Sequence, residues 1–244
     1  MSDGIERARK LVAGARRALA FTGAGISTAS GVPDFRSPGG IWSRYRQVEF
    51  SEFLASEDAR REYWRYKKET YRDFAAARPN AAHLALARRE DLGSLMAVIT
   101  QNIDGLHQEA GSRRVLELHG TSRRVECLSC RAALPAGDVQ ARLEAGCEVP
   151  RCDACNGLLK PATVSFGQSL PTEVLAEAFD LARGADLMLV LGSSLLVYPA
   201  ASVPEQAVAS RVPVVIVNRD PTPLDHAAAA VVRGPLEDLV PALL

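Results

Sequence analysis

Four cysteines in the middle of the chain form two closely spaced pairs, Cys127 with Cys130 and Cys152 with Cys155, and 21 residues separate the pairs. Two pairs at this spacing are typical of a four-thiolate structural zinc site, in which each of two turns supplies two ligands. A thioredoxin-like redox motif is the alternative, but it needs only one pair. Because four protein ligands leave no open position, one Zn²⁺ per chain would stabilise a subdomain without taking part in catalysis. The fifth cysteine, Cys147, is interpreted as a spare thiol.

A zinc ribbon that binds nucleic acid is a further reading of the same pattern. Residues 128 to 150 contain no basic cluster with interleaved aromatic residues, and the whole chain has 29 Lys and Arg against 29 Asp and Glu. A net charge of zero provides no general attraction to nucleic acid or anionic lipid. We therefore expect neither a nucleic-acid partner nor a membrane partner.

Three glycines, Gly23, Gly25 and Gly31, follow a short apolar segment that ends at Thr22. Glycines after a buried strand let the backbone approach a ligand closely, and the exposed N–H groups of such a loop suit a pyrophosphate. The dehydrogenase fingerprint G-x-G-x-x-G needs its third glycine three positions after the second, whereas Gly31 comes six positions after Gly25. A hydride-transferring dehydrogenase is therefore disfavoured, and a tight turn without a ligand is the alternative for the glycines alone.

A second polar loop follows the apolar run 95–100 and contains Gln101, Asn102 and Asp104. Polar groups at a strand end can converge on a ligand, and the alternation of Asn102 and Asp104 predicts that they face different parts of it. A turn closed by Asp104 and Gly105 is the structural alternative, since Asp and Gly favour turns on their own.

One of the four histidines is placed to act as a general base. His119 ends a short strand-like piece at 116–120, and imidazole accepts protons near neutral pH. His83 is expected to pack in the core, His107 to pack at the start of a helix, and His226 to lie at the surface.

Hydrophobic patterning predicts the elements that position these residues. Continuous apolar runs at 95–100, 186–192 and 212–218 are typical of parallel strands buried on both faces, and helical patterns separate them. This alternation predicts an α/β fold with a doubly wound, mainly parallel Rossmann-like sheet, whose ligands bind at the carboxyl ends of the strands. An aromatic and charged segment and the cysteine module would form a small lobe beside the sheet.

The chain of 244 residues, 47% of them hydrophobic, can bury one sizeable core and a satellite module. We expect a single domain over 1–244, with a Rossmann-like core at approximately 1–36, 76–122 and 158–244, a helical insertion at 37–75 and the zinc module at 123–157. The N-terminal segment carries charges throughout, which argues against a secretory signal. Metal ligation by reduced cysteines also favours a cytoplasmic location, and we expect a monomer.

Several stretches, in their order along the chain, resemble the sirtuin family of NAD-dependent protein-lysine deacylases, in its bacterial type. They cover most of residues 18 to 225. The matching stretches are FTGAGISTASGVPDFR, PNAAHLAL, TQNIDGLHQEAG, ELHG, the two cysteine pairs, KPATVSFGQSLP, GSSLLVYPA and VNRDPTPLD.

The resemblance implies a protein-lysine deacetylase that uses NAD⁺ as co-substrate. The acetyl group would pass from lysine to ADP-ribose, with release of nicotinamide and O-acetyl-ADP-ribose. His119 would take a proton from a ribose hydroxyl and Asn102 would fix ribose hydroxyls and a water, so these two are the predicted catalytic residues. The alternatives are a desuccinylase or demalonylase of the same family, a mono-ADP-ribosyltransferase, or a sensor of NAD⁺ without catalysis, for which a base at His119 has no use.

The same resemblance implies a set of binding residues. The predicted NAD⁺ contacts follow strand ends and are Gly23, Ala24, Gly25, Ser27, Asp34, Phe35, Arg36, Gln101, Asn102, Ile103, Asp104, His119, Gly192, Ser193, Ser194, Asn218 and Arg219. The predicted substrate contacts are Trp64, Lys67, Val164, Phe166, Gly167 and Val197. The acyl-lysine protein would bind as an extended strand, which gives affinity through the backbone with little demand on sequence.

Two departures from the family bear on the substrate. Sirtuins that prefer succinyl or malonyl lysine carry a tyrosine and, three residues later, an arginine, and in this chain Trp64 and Lys67 occupy those places. Because Lys67 lacks the planar fork of an arginine, acetyl-lysine is the expected substrate and acidic acyl activity is expected to be weak. The alternative is that both residues simply pack the helical lobe. Gln168 stands where the family often has a glutamate, which removes a charge near the substrate groove.

Overall fold

The computed structural model describes residues 2–32 and 44–244. Its main feature is a six-stranded parallel sheet in the order β3-β2-β1-β7-β8-β9, accompanied by a three-stranded antiparallel sheet in the order β5-β4-β6. The strands are β1 (Ala18–Thr22), β2 (Leu95–Thr100), β3 (Val115–Glu117), β4 (Gly120–Cys127), β5 (Ala133–Pro135), β6 (Leu159–Thr163), β7 (Leu187–Leu191), β8 (Val214–Val217) and β9 (Ala230–Val232).

Helices cover both faces of the large sheet and build most of the small lobe. The α-helices of the described residues are α1 (Ser2–Gly14), α2 (Phe50–Ala55), α3 (Glu57–Ala76), α4 (Ala81–Asp91), α5 (Leu106–Glu109), α6 (Ala136–Glu144), α7 (Thr172–Gly184), α8 (Ser202–Ala209) and α9 (Leu236–Leu243). Within these residues, none of the helices combines the length and the apolar character needed to cross a membrane.

The alternation of side chains along β1 shows how the core is divided. Ala18 and Ala20 point into a cluster shared with α1, α4 and α9, whereas Leu19 and Phe21 point into a cluster on the opposite face, shared with α7 and α8. Successive side chains of a strand face opposite sides of the sheet, so a strand that is apolar throughout must be covered twice. The predicted doubly wound sheet is confirmed.

The strand order places a topological switch point between β1 and β7. From β1 the chain builds the sheet outward through β2 and β3 on one side, and β7, β8 and β9 extend it on the other. The connection that follows β1 runs to α4 on one face of the sheet, and the connection that follows β7 runs to α8 on the other. The crevice where two such connections part is where ligands bind in sheets of this kind.

The small lobe joins the helical insertion and the cysteine module in one core. Trp64 of α3 packs with Val125, Val139 and Leu159 from the small sheet and α6. The small sheet begins at β4 and ends at β6, so it extends beyond the predicted limits of 123 and 157 at both ends. We propose that the zinc module includes both of these strands in full.

Candidate functional site

Two loops meet at the switch point, and glycines allow their contact. The Gly23 N–H donates to the Leu191 carbonyl (3.1 Å) and the Gly25 N–H to the Gly192 carbonyl (2.9 Å). A Cβ on Gly23 would lie 2.7 Å from the Gly192 oxygen, and one on Gly25 would lie 2.8 Å from the Gly192 Cα. Gly192 itself has φ +66°, in the region that favours glycine. These glycines therefore allow the loop after β1 to pack directly against the backbone of the loop after β7.

A cavity of about 750 Å³ opens at this edge of the sheet. It brings together most of the predicted site residues, from both sides of the switch point and from the small lobe. Those that line it are Gly23, Ala24, Gly25, Lys67, Gln101, Asn102, Ile103, His119, Val164, Phe166, Gly167, Gly192, Ser193, Ser194, Val197, Asn218 and Arg219. Ser27 and Asp104 line a much smaller cavity beside it, which also borders Asn102. Asp34, Phe35 and Arg36 lie outside the described residues.

The half-buried ring of His119 has a defined tautomer. Its Nδ1 lies 2.8 Å from the carbonyl oxygen of Gln101, and because a carbonyl only accepts, Nδ1 carries the proton and donates. In the neutral ring, Nε2 is then the basic nitrogen. The structure therefore gives His119 the tautomer that a general base needs, in a side chain that lines the cavity.

Gln101 links the ends of three strands. Its backbone N–H donates to the Thr22 carbonyl at the end of β1 (3.0 Å), and its side-chain Nε2 donates to the Ser193 hydroxyl after β7 (2.8 Å). The Gln101 carbonyl, which orients His119, therefore belongs to a residue that is hydrogen-bonded both to Thr22 after β1 and to Ser193 after β7.

Asn102 and Asp104 converge on one hydroxyl group. The Ser27 Oγ donates to Asp104 Oδ2 (2.8 Å) and accepts from Asn102 Nδ2 (3.0 Å). The chain leaves the strand at Thr100 and turns, so the two side chains meet at Ser27; Asn102 still borders both cavities, whereas Asp104 borders only the smaller one. That they face different parts of a ligand stays a prediction. Asp104 Oδ1 accepts from the Leu106 N–H (2.9 Å), so the side chain also closes the turn that was weighed as the structural alternative.

Two buried histidines, His83 and His107, lie next to this network. The Asn80 N–H donates to His83 Nδ1 (3.3 Å), which leaves Nε2 as the protonated nitrogen, 3.4 Å from the Ser27 Oγ. His107 Nε2 lies 2.9 Å from the Thr22 Oγ1. Burial lowers the pKa of His83 to about 4 and that of His107 to about 3, so both rings are neutral at physiological pH. The predicted packing roles of both residues are confirmed, and His226 is exposed as expected.

The loops after β7 and β8 border the far side of the cavity. Ser193 is buried and its hydroxyl also accepts from the Leu195 N–H (3.2 Å), whereas Ser194 is exposed. The amide Nδ2 of Asn218 donates to the Asp220 carbonyl (2.8 Å), and the exposed Arg219 pairs with the Asp220 carboxylate (3.2 Å). These groups offer hydroxyl, amide and guanidinium contacts to a ligand that extends across the switch point.

Trp64 does not line the cavity, which corrects its predicted place among the substrate contacts. Its ring is 2% exposed and belongs to the core of the small lobe. The neighbouring face of α3 lines the cavity instead, with Tyr63, Tyr66 and Lys67. Tyr66 and Lys67 follow Tyr63 by three and four residues and share its helix face. Trp64 packs instead in the core of the small lobe, toward the zinc module. The Lys67 Nζ lies 4.8 Å from the centre of the Tyr66 ring and 3.3 Å from its hydroxyl oxygen.

The segment after β6 forms one wall of the cavity. The Val164 N–H donates to the His119 carbonyl (2.8 Å), and the Phe50 N–H of α2 donates to the Phe166 carbonyl (2.9 Å). Gln168, at the family's glutamate position, turns its side-chain oxygen back to accept from the Ser165 N–H (3.1 Å).

The four paired cysteines form one cluster whose sulfur atoms all lie within 4.8 Å of one another. Sγ of Cys127 is 3.5 Å from that of Cys155, and Sγ of Cys130 is 3.6 Å from that of Cys152. These separations are close to the roughly 3.8 Å between thiolates that surround Zn²⁺ tetrahedrally at about 2.3 Å. The Cys130 and Ser129 N–H groups donate to Cys127 Sγ, which lowers the pKa of that thiol to about 6 and favours the metal-binding thiolate. The residues present thus fit a structural Zn²⁺, and the exposed Cys147 lies outside the cluster.

Three residues in or beside the cavity wall were not predicted from the sequence. Tyr63 and Tyr66 on the cavity wall, and Lys160 behind it, belong to no recognised motif. A helical-face argument applied to Lys67 would have found Tyr63, four residues earlier, and from it Tyr66, three residues after Tyr63.

Fold and site together define a class: an α/β nucleotide-binding protein with a cleft at the switch point of its sheet and a four-cysteine metal module. The Sir2 family model matches residues 23–199. A relative called NAD-dependent protein deacetylase, from Rhodopseudomonas palustris, is 44% identical over 235 residues, which are 96% of this chain and 93% of the relative.

Solved structures agree with this relationship. One described as Sir2 with a p53 peptide and NAD⁺ has a TM-score of 0.88 and 42% identity, and covers 96% of this chain and 94% of its own. Another, of a Sir2 variant with deacetylated p53 peptide and 3'-O-acetyl ADP ribose, has a TM-score of 0.90 and 42% identity, with 97% and 95% covered. The chain belongs to the Sir2 family, the sirtuins.

Proposed function

We propose that this protein is an NAD⁺-dependent protein-lysine deacetylase, which transfers the acetyl group of a lysine to ADP-ribose and releases nicotinamide and O-acetyl-ADP-ribose. The observation that carries the proposal is the His119 ring, which lines the cavity with Nδ1 bonded to the Gln101 carbonyl. Membership of the Sir2 family and the names of its relatives support it.

His119 acts as the general base through Nε2, which takes a proton from a ribose hydroxyl. The ring then becomes an imidazolium, and its Nδ1–H continues to donate to the Gln101 carbonyl. Because this bond is stronger to the charged ring, the carbonyl stabilises the protonated state and holds the ring in one orientation.

Asn102 contributes an acceptor of fixed orientation. Since its Nδ2 donates to Ser27, the amide oxygen is the atom that can accept from a ribose hydroxyl or a water. Asp104, Ile103 and Ser27 would contact the nicotinamide end of NAD⁺ in the small adjoining cavity. Bound NAD⁺ supplies a ribose carbon from which nicotinamide can leave.

The rest of NAD⁺ would extend across the switch point. Gly23, Ala24 and Gly25 line the cavity and would lie against the pyrophosphate, with the N–H groups of the two glycines already bonded to the Leu191 and Gly192 carbonyls. Ser193 and Asn218 would contact the adenosine portion. Asp34, Phe35 and Arg36 stay predicted NAD⁺ contacts from the resemblance alone.

The protein substrate would lie as an extended strand between two edges, 164–167 and 196–198. Phe166, Leu196 and Tyr198 are exposed there, at 37%, 63% and 59%, and offer an apolar surface on both sides of the acyl-lysine. We further propose that the enzyme acts as a monomer in the cytoplasm, where its thiolates stay reduced.

Acetyl is the acyl group that the cavity favours. The Lys67 ammonium already interacts with the rings of Tyr66 (4.8 Å) and Tyr63 (5.5 Å), so a distal carboxylate would have to compete with these contacts. A point charge of this kind also lacks the bidentate geometry of an arginine. Activity on succinyl-lysine and malonyl-lysine is therefore expected to be weak.

Mass spectrometry of an acetyl-lysine peptide, incubated with the purified protein with and without NAD⁺, tests the proposal. We expect NAD⁺-dependent loss of acetyl together with O-acetyl-ADP-ribose. Intact acetyl peptide with turnover of a succinyl peptide would instead identify a desuccinylase. Intact peptides with ADP-ribose attached to protein would identify a mono-ADP-ribosyltransferase.

A further inference from the structure

Lys160 is a buried lysine beside the candidate active site. It lies in β6, is 2% exposed, and donates from Nζ to the carbonyls of Thr163 and Pro161, the latter at 3.3 Å. An amino group is costly to bury unless it is hydrogen-bonded. Burial lowers the pKa of Lys160 to about 7, and because a neutral amine still has two N–H groups, it can donate to both carbonyls in either state.

One of these carbonyls belongs to a peptide group that is held at both ends. The Thr163 carbonyl and the Val164 N–H are parts of a single planar unit. Lys160 holds the carbonyl end, and the His119 carbonyl accepts from the N–H end at 2.8 Å. A rigid peptide plane transmits a rotation of one end to the other, so Lys160 is coupled to the backbone of His119.

The same lysine also stands behind the cavity wall. Thr163, Val164 and Phe166 line the cavity, and the Lys160 Nζ lies 5.8 Å from the centre of the Phe50 ring. Phe50 in turn fixes the wall through its N–H bond to the Phe166 carbonyl. Lys160 therefore lies close to both places where the wall is held, the Val164 bond to His119 and the Phe166 bond to Phe50. Its own side chain does not reach the cavity.

We propose that Lys160 is a positioning residue, which fixes the Thr163–Val164 peptide and thereby aligns His119 and the 164–167 edge of the substrate groove. This inference rests on the proposed function for its catalytic consequence. Its structural core, the coupling of Lys160 to the Val164 amide, can be measured independently of activity.

The test compares Lys160→Met with two other variants. Methionine keeps an unbranched apolar side chain, one atom shorter than that of lysine, and removes the donor. Lys160→Arg keeps a donor. Lys68→Met is the matched control, since Lys68 also donates to a backbone carbonyl, that of Leu143 (2.8 Å), but in the zinc module.

The first readout is hydrogen exchange of the Val164 amide by NMR. We expect exchange about tenfold faster in Lys160→Met and unchanged in Lys68→Met. The second is steady-state deacetylation, in which Lys160→Met should raise KM for an acetyl peptide about tenfold and leave the Kd for NAD⁺ unchanged. Lys160→Arg should restore most of the peptide KM.

The proposal would be overturned if the Val164 amide of Lys160→Met exchanged at the wild-type rate. It would also be overturned if Lys160→Met raised the peptide KM and the Kd for NAD⁺ by the same factor. If Lys160→Met does not fold, Lys160→Leu, which also lacks a donor, takes its place in both measurements. If the wild-type protein deacetylates no peptide, the proposed function fails, and the exchange rate of the Val164 amide alone decides this inference.

Discussion

The Ser27 hydroxyl donates to Asp104 Oδ2 across 2.8 Å, deep behind the cavity. The same oxygen accepts from Asn102 Nδ2, so one hydroxyl sets the orientation of both side chains. Ser27→Ala removes this link and leaves the buried Asp104 with one partner fewer. We expect a loss of about 1–3 kcal/mol in the free energy of unfolding, and kcat/KM for NAD⁺ lowered by about tenfold or more.

Ser30→Ala is the matched control for this prediction, because the Ser30 hydroxyl also has a side-chain partner, Asn80 Nδ2 (2.9 Å), without contact to Asn102 or Asp104. Urea unfolding and steady-state kinetics would be compared for the two variants. A Ser27→Ala protein with wild-type kcat/KM for NAD⁺ would show that Asn102 and Asp104 need no such anchor.

The two buried histidines predict a decline in stability at mildly acid pH. Their pKa values in the folded protein, about 4 for His83 and about 3 for His107, lie below the usual 6.5, so the unfolded state binds protons first as pH falls. Their contribution is complete above pH 6.5. Each costs about 1.4 kcal/mol per pH unit below that value, until the folded ring itself titrates. Urea unfolding between pH 7.5 and 5 measures this slope.

A His107→Gln variant should show a shallower loss of stability between pH 6.5 and 5 than the wild type. His226→Gln, which changes an exposed ring whose Nδ1 contacts the Pro223 carbonyl (2.9 Å), should keep the wild-type slope. Equal slopes in all three proteins would mean that burial of His107 does not govern its protonation.

The cysteine cluster predicts one zinc ion per chain, and its removal should unfold the small lobe. A zinc chelator, or Cys152→Ser, leaves the module without the metal that joins its two turns, and the Trp64 core packs against that module. A loss of several kcal/mol lowers Tm by roughly 10 °C in a chain of this size. Calorimetry and zinc analysis provide the measurement, and Cys147→Ser is the control that should match the wild type in both.

Lys67 predicts the response to acidic acyl groups. Lys67→Met should reduce the already low kcat/KM for succinyl-lysine by about tenfold and change that for acetyl-lysine by less than about twofold, because only the first substrate carries a distal charge. Lys68→Met is the control on the opposite face of α3. A wild-type enzyme that prefers succinyl-lysine would contradict the account of the acyl pocket.

Local patterns in the sequence were sufficient for much of the fold. The apolar runs around Leu187–Leu191 and Val214–Val217 predicted buried parallel strands because each is apolar on both faces. The cysteine spacing predicted the metal cluster for a similar reason: ligand geometry is encoded within a few residues of Cys127 and Cys152.

Contacts between distant segments were beyond the reach of those patterns. Gly23 and Gly25 were predicted to let a ligand approach the backbone. In the structure the group that lies against them is the backbone of Gly192, far along the chain. Asn102 and Asp104 were treated as alternating strand residues, although the chain turns after Thr100 and both side chains reach Ser27.

The place of Trp64 illustrates a different difficulty. Alignment gave its sequence position but not which face of α3 is turned toward the cavity, and that rotation is set by packing on the zinc module. Lys160 shows the same limit, because a lysine is ordinarily expected at the surface and only the fold reveals the carbonyls that hold it inside.

His119 is proposed as the general base of a deacetylation that consumes NAD⁺. The most direct test measures O-acetyl-ADP-ribose by mass spectrometry for the wild type, His119→Ala and His226→Gln, with the Kd for NAD⁺ measured in parallel. We expect His119→Ala to bind NAD⁺ yet form less than about a hundredth of the wild-type product, while His226→Gln is fully active. Comparable product formation by His119→Ala would contradict it.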